Sequence, residues 1–183
     1  MSYLKFNNTL VVGLFGGPGC GKSIFAADIF AKLKWQGIVT EITTEYAKDK
    51  VYEESFRILE NQIYLFGKQH HRINRILGKT QVIVTDSPFL IGAAYIKDNN
   101  ILLESLIAEE YKKLNTLNIF LNRNISIYEQ HGRIQDLQQA IHIDTKIKEL
   151  LNKHNISFIE YKSEKQSSDE IVKKILKTID NGR

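Results

Sequence analysis

Apolar residues in this chain fall into short continuous runs, separated by longer stretches with helical spacing. Residues 10–15 (LVVGLF) are uninterrupted and apolar, as in a strand buried on both faces. Similar β-branched or apolar runs at 38–43, 81–85, 118–121 and 157–161 predict four more strands. Between them lie predicted helices. Residues 22–33 carry Ile24, Ala27, Phe30 and Ala31 on one face. Residues 53–77 place Phe56, Leu59, Ile63, Phe66, Ile73 and Leu77 at helical spacing, and predict one long helix. A short helix is expected at 88–95, then helices at 102–114, 137–152 and 168–179. Strands alternating with helices predict an α/β fold. Five parallel strands form the middle of three layers, joined by right-handed crossovers. Ligands of such sheets bind beyond the C-terminal strand ends, here the loops 16–23, 44–46, 86–89 and 122–133.

Composition narrows the class. The 183 residues are 43% hydrophobic and 25% charged, which fits one globular domain over 1–183. A single Cys excludes an intrachain disulfide and a cysteine-based metal site. The five His show no ligand spacing. No apolar run is long enough for a targeting segment or a membrane span, so a soluble cytoplasmic protein is expected. A net charge of +4 suits a phosphorylated ligand. The lysines are dispersed, so nucleic acid is not the expected partner.

One motif carries strong chemistry. Gly16-Gly17-Pro18-Gly19-Cys20-Gly21-Lys22-Ser23 matches G-x-x-x-x-G-K-[ST], following a predicted strand and opening a predicted helix. Glycines let the backbone turn its N–H groups toward phosphate oxygens, and the helix adds the positive end of its dipole. Lys22 is placed to reach the β- and γ-phosphates, and Ser23 offers a hydroxyl to Mg²⁺. Cys20 is expected as a small residue chosen for space, although a helix N-terminus beside a lysine also suits a reactive thiol.

The surrounding residues select among phosphate-loop classes. Asn152-Lys153-His154-Asn155 lacks the Asp of a guanine-specifying N-K-x-D and precedes a strand. The apolar strand 82–85 ends in Asp86-Ser87-Pro88 rather than Asp-Glu. A small-molecule kinase fits. Asp86 then holds Mg²⁺ or serves as base on the acceptor hydroxyl, while it or Ser87 also caps the helix that Pro88 begins. Glu45, in Thr44-Glu45-Tyr46, is a second acceptor-side carboxylate or simply a helix-start residue. Arg123 closes the fourth strand, and Arg133 lies in a polar segment suited to a lid at 122–136. A lid arginine would neutralise charge on the transferred phosphoryl group. Tyr46, Phe89 and Tyr95 offer apolar walls for a base, with Gln62 or Gln69 at its edge.

These strings together resemble the AAA-like P-loop family that includes the ribosylnicotinamide kinase domain of the bifunctional bacterial NAD regulator. The resemblance rests on the phosphate loop, Thr-Glu-Tyr-Ala-Lys-Asp at 44–49 and Val-Thr-Asp-Ser-Pro-Phe-Leu at 84–90. Gly132-Arg133-Ile134-Gln135 and Ile143-Asp144 further resemble phage-encoded members. The resemblance implies a P-loop nucleoside triphosphate hydrolase fold with strand order 2-3-1-4-5. It also implies an ATP-dependent kinase, with Gly16 to Ser23 on ATP, Glu45 and Asp86 at acceptor and metal, and Arg133 in the lid. Lys48 stands where the family tends to carry Arg. The expected function is therefore phosphoryl transfer from Mg-ATP to a hydroxyl of a nucleoside-like small molecule. An ATP-binding regulatory module, and a phage kinase acting on nucleotides or modified DNA bases, are the competing readings.

Overall fold

The computed structural model describes residues 8–97, 100–123 and 136–181. Five strands form one sheet: β1 (Leu10–Phe15), β2 (Thr40–Thr43), β3 (Val82–Thr85), β4 (Thr116–Asn122) and β5 (Ile159–Lys162). Every pairing is parallel, and the order is β2-β3-β1-β4-β5. The chain therefore has the expected P-loop order. The strand C-terminal ends share one edge, where the candidate site lies.

Side chains alternate across the sheet and build two apolar layers. Val11, Phe15, Ile83 and Phe120 face α5 (Ile101–Lys112), α6 (Leu137–Lys153) and a 3₁₀ helix at Phe89–Tyr95. Leu10, Val12, Leu14, Val82, Val84, Ile119 and Leu121 face α1 (Lys22–Trp35) and α7 (Lys165–Asn181). Gly13 interrupts the apolar run because Tyr111 crosses β1 there. A Cβ on Gly13 would stand 2.6 Å from the Tyr111 hydroxyl. That buried hydroxyl donates to Asn118 Oδ1 at 2.7 Å, so the polar atom costs little.

Local chemistry sets the element ends. Asp136 accepts from the Gln139 N–H while the Gln139 side chain accepts from the Asp136 N–H, a reciprocal capping box at the start of α6. Asn61 caps the helix Gln62–Asn74 through its side chain. That cap is one reason the long helix expected over 53–77 does not exist. The segment instead forms α2 (Tyr46–Tyr52), α3 (Phe56–Leu59) and α4 (Gln62–Asn74). Glu54 takes a left-handed φ of 55°, which breaks helical continuity before Ser55. Phe56 and Ile63 consequently lie exposed.

The α1 face also differs from expectation. Phe25, Ala26, Ile29 and Leu33 are buried, while Ile24 is exposed. Polar and apolar residues are both spread round this helix, so spacing alone did not choose the face; contact with the sheet and α7 does. The expected helix after Pro88 is 3₁₀ rather than α, over Phe89–Tyr95. Among the described residues, no helix is long and apolar enough to cross a membrane.

Candidate active site

The phosphate loop joins β1 to α1. Gly16, Gly19 and Gly21 all adopt positive φ. At Gly21, φ is 91° and a Cβ would stand 2.8 Å from Ser163 Oγ, so conformation and space both require glycine. Ser163 closes that side by donating to the Cys20 carbonyl at 2.7 Å. Lys22 Nζ donates to the Gly16 and Gly17 carbonyls at 2.7 and 2.9 Å. The ammonium is thus folded over the loop. Cys20 is fully buried in the α1-side core, so the small-residue reading fits and an accessible thiol does not.

Arg123 extends from the end of β4 to the same loop. Its Nε donates to Asp144 of α6, its Nη1 to the Pro18 carbonyl and its Nη2 to the Ala140 carbonyl. The other Asp144 oxygen accepts the Gly17 N–H. Phosphate loop, β4 end and α6 are therefore joined through one carboxylate. The sequence marks Asp144 only through the Ile143-Asp144 likeness and carries no signal for this bracing role, since the residue sits inside a helix far along the chain.

A cleft of about 330 Å³ opens between this loop and the ends of β2 and β3. Lys22, Ser23, Glu45, Lys48, Asp86 and Tyr95 all line it. Asp86 is 7% exposed, and its carboxyl is pushed up to about 6, chiefly by burial and then by the Glu45 charge. Lys22 and Lys48 oppose that shift, as does a hydrogen bond from the Glu45 backbone. Asp86 Oδ1 is buried without a hydrogen-bond partner among the described residues. An orphaned carboxylate oxygen beside a lysine and a serine suits a cation or a hydroxyl proton. The Tyr95 hydroxyl is also held well above its ordinary range, first by burial and next by Glu45.

A family described as an AAA domain matches residues 11–167. The chain belongs to that AAA-domain family. No curated protein matches it. Among solved structures, NadR protein in complex with NR superposes with a TM-score of 0.69 at 15% identity, covering 89% of this chain and 50% of NadR. The chain thus spans about half the length of the NadR chains it matches. Deoxyadenosine kinase from M. mycoides with bound dATP gives 0.62 at 17% identity, covering 91% of this chain and 99% of that one. YorR from Bacillus subtilis, in complex with phosphorylated GDP, gives 0.54 at 19%. These likenesses show the fold.

In this AAA-domain chain, most residues singled out from sequence converge. Gly19, Gly21, Lys22, Ser23, Glu45 and Asp86 line one cleft. Arg123 braces the loop beside them. Arg133 lies outside the described residues, as does 124–135 of the expected lid. Of the two glutamines, Gln69 is already committed. It accepts the Tyr46 N–H at 3.0 Å and donates to the Thr44 carbonyl at 3.2 Å, fixing the β2–α2 turn. Gln62 donates to the Leu59 carbonyl at 2.9 Å and keeps its amide oxygen unbonded among the described residues. Lys48 was noted only as a departure from the family string, yet it lines the cleft and acts on Asp86.

Proposed function

We propose that the protein transfers the γ-phosphoryl group of ATP to a hydroxyl of a nucleoside-like small molecule. One observation carries this reading: the buried Asp86 Oδ1, without a partner among the described residues, shares a cleft with Lys22 and Ser23 of a phosphate loop. The loop N–H groups and Lys22 bind the phosphates, with Lys22 leaving the Gly16 and Gly17 carbonyls to do so. Ser23 and Asp86 would hold Mg²⁺, which neutralises donor-phosphate charge when bound.

The acceptor side lies beyond Asp86. The hydroxyl oxygen attacks the γ-phosphorus as the bond to the β,γ-bridging oxygen breaks, and ADP leaves. The hydroxyl proton passes to the Asp86 or Glu45 carboxylate. Two carboxylates favour a neutral hydroxyl over an anionic phosphate as the attacking group. Phe66, Phe89 and Tyr95 provide apolar wall, and the free Gln62 oxygen favours a base edge that presents an N–H donor. The similar structures support this class: NadR was solved with NR, and deoxyadenosine kinase with dATP. Arg133 is proposed to act on the transferred group.

The test is ADP release with Mg-ATP and a panel of nucleosides, including nicotinamide riboside, alongside nucleoside monophosphates. Stimulation by nucleosides, with a mass gain of one phosphoryl group, is the expected result. ATP binding without consumption of any acceptor would overturn the kinase reading and leave an ATP-binding module.

A further inference from the structure

A second concavity, of about 390 Å³, lies beside the end of β2 and is separate from the phosphate loop. Its lining includes Thr43, Thr44 and Tyr46, together with Lys68, His71 and Arg72 of α4 and Arg75 at its C-terminal cap. The four basic positions are spaced three, one and three apart, so they share one helix face. Cations on a helix face are ordinary. Three, Lys68, Arg72 and Arg75, around one concavity whose lining contains no carboxylate are not.

Among the described residues, only Arg72 of this lining pairs with a carboxylate, that of Asp49. Lys68 and Arg75 hold none among the described residues; Lys68 only lies over the Tyr64 ring, at 5.3 Å. Arg72 is anchored, donating to the Thr44 carbonyl at 2.8 Å and to Asp49, with its guanidinium over the Tyr46 ring at 5.1 Å. It gives the pocket a fixed cationic wall while Lys68 and Arg75 stay available. Thr43, also in the lining, keeps a buried hydroxyl without a partner among the described residues. A volume near 390 Å³ is within the usual range for small ligands.

We propose that this pocket is a second anion site, which takes the phosphate group of a phosphorylated molecule. Lys68 and Arg75 provide mobile charge-assisted donors. Arg72 adds fixed positive potential, partly offset by its pair with Asp49. Tyr46 lines both concavities and follows Glu45 in the chain, so an occupied pocket would restrain the acceptor side of the main cleft. The site stands independently of the phosphate loop and of any kinase activity.

The experiment is a ¹⁵N-resolved NMR titration of the whole chain with inorganic phosphate, and separately with a 5′-phosphorylated tetranucleotide. The expected result is saturable shifts at the amides of Thr43, Thr44, Lys68 and Arg75 with at least one probe. In the Lys68→Glu/Arg75→Glu variant, affinity at those amides should fall at least tenfold, while responses at Gly16 to Ser23 stay as in the parent. Lys68→Gln/Arg75→Gln, which introduces no new charge, should show the same loss in weaker form. Comparable affinities for the two probes would assign the site to a small phosphorylated molecule. Binding of the tetranucleotide at least a hundredfold more tightly, with a steep salt dependence, would assign it to a nucleic-acid phosphate. Shifts confined to Gly16 to Ser23, or unaltered by both double variants, would overturn the proposal.

Discussion

Asp86 receives a hydrogen bond from the main chain of Glu45 and repulsion from its side chain. Together with burial, that repulsion outweighs the hydrogen bond and the nearby lysines, and the carboxyl sits at about 6 rather than 3.8. A group held this way in a cleft has two consequences, one for activity and one for stability.

For activity, Asp86 works ionised whether it is base or metal ligand. The pH profile of kcat/KM reports groups of the free enzyme. It should therefore show an acidic limb near pH 6, measured with the best nucleoside of the panel. A profile flat from pH 5 to 8 would remove Asp86 from the reaction.

For stability, the sign follows from the direction of the shift. The folded chain binds the Asp86 proton more tightly than the unfolded chain, so stability falls as pH rises from about 4 to about 6 and stays lowered above. Asp86→Asn should thus stabilise the protein at pH 7, by up to about 3 kcal/mol for a shift from 3.8 to about 6. Urea denaturation should show that gain shrinking to nothing below about pH 4. An equal gain at both pH values would indicate packing rather than ionisation.

Lys22→Ala removes the ammonium that now rests on the Gly16 and Gly17 carbonyls. Loss of a charged hydrogen-bonding group should weaken Mg-ATP binding by about 1.5–3 kcal/mol, or roughly ten- to hundredfold. Calorimetry on the purified chain checks this. Unchanged affinity would show that the loop does not bind nucleotide phosphates.

Asp144→Ala removes a carboxylate that Arg123 holds and the acceptor of the Gly17 N–H. The Arg123 side chain is 6% exposed and that of Asp144 16%, so a nearly buried ion pair would be broken. Breaking a buried pair costs about 3–5 kcal/mol, and partial exposure of Asp144 should bring this to about 2–3 kcal/mol in chemical denaturation. A change below about 0.5 kcal/mol would mean that water replaces Asp144 without loss.

Cys20 should react slowly with alkylating reagents in the folded chain, with or without Mg-ATP, because its thiol is packed against Gly16 and the α1-side core. Labelling should accelerate only as the protein unfolds. Rapid native-state labelling would place the thiol in the open cleft instead.

Much of this was legible from residue order. The strand runs are apolar because both sheet faces are covered, and the phosphate loop shows in its glycines. Asp86 was visible because a buried parallel strand rarely continues into a carboxylate. The α1 face was not legible, since polar and apolar residues are both spread round that helix and leave no directional pattern. The break at Glu54 was hidden because φ > 0 at a glutamate leaves no compositional trace. The bracing role of Asp144 and the basic stripe of α4 were hidden for a different reason: each gains meaning only from what the fold sets against it.

The placement of β1 bears on how the chain is made. It precedes the other described strands and lies at the sheet's centre, yet its partners β3 and β4 come much later. At ribosomal rates of roughly 5–20 residues per second, Thr116 follows its partner Val11 by roughly 5–20 seconds. Until Val82 follows, this uncharged, strongly β-forming hexapeptide has neither edge satisfied, and until Thr116 follows one edge still lacks its partner. The nascent protein should therefore depend on chaperone cover, or on transient shelter against α1, until β4 has been translated.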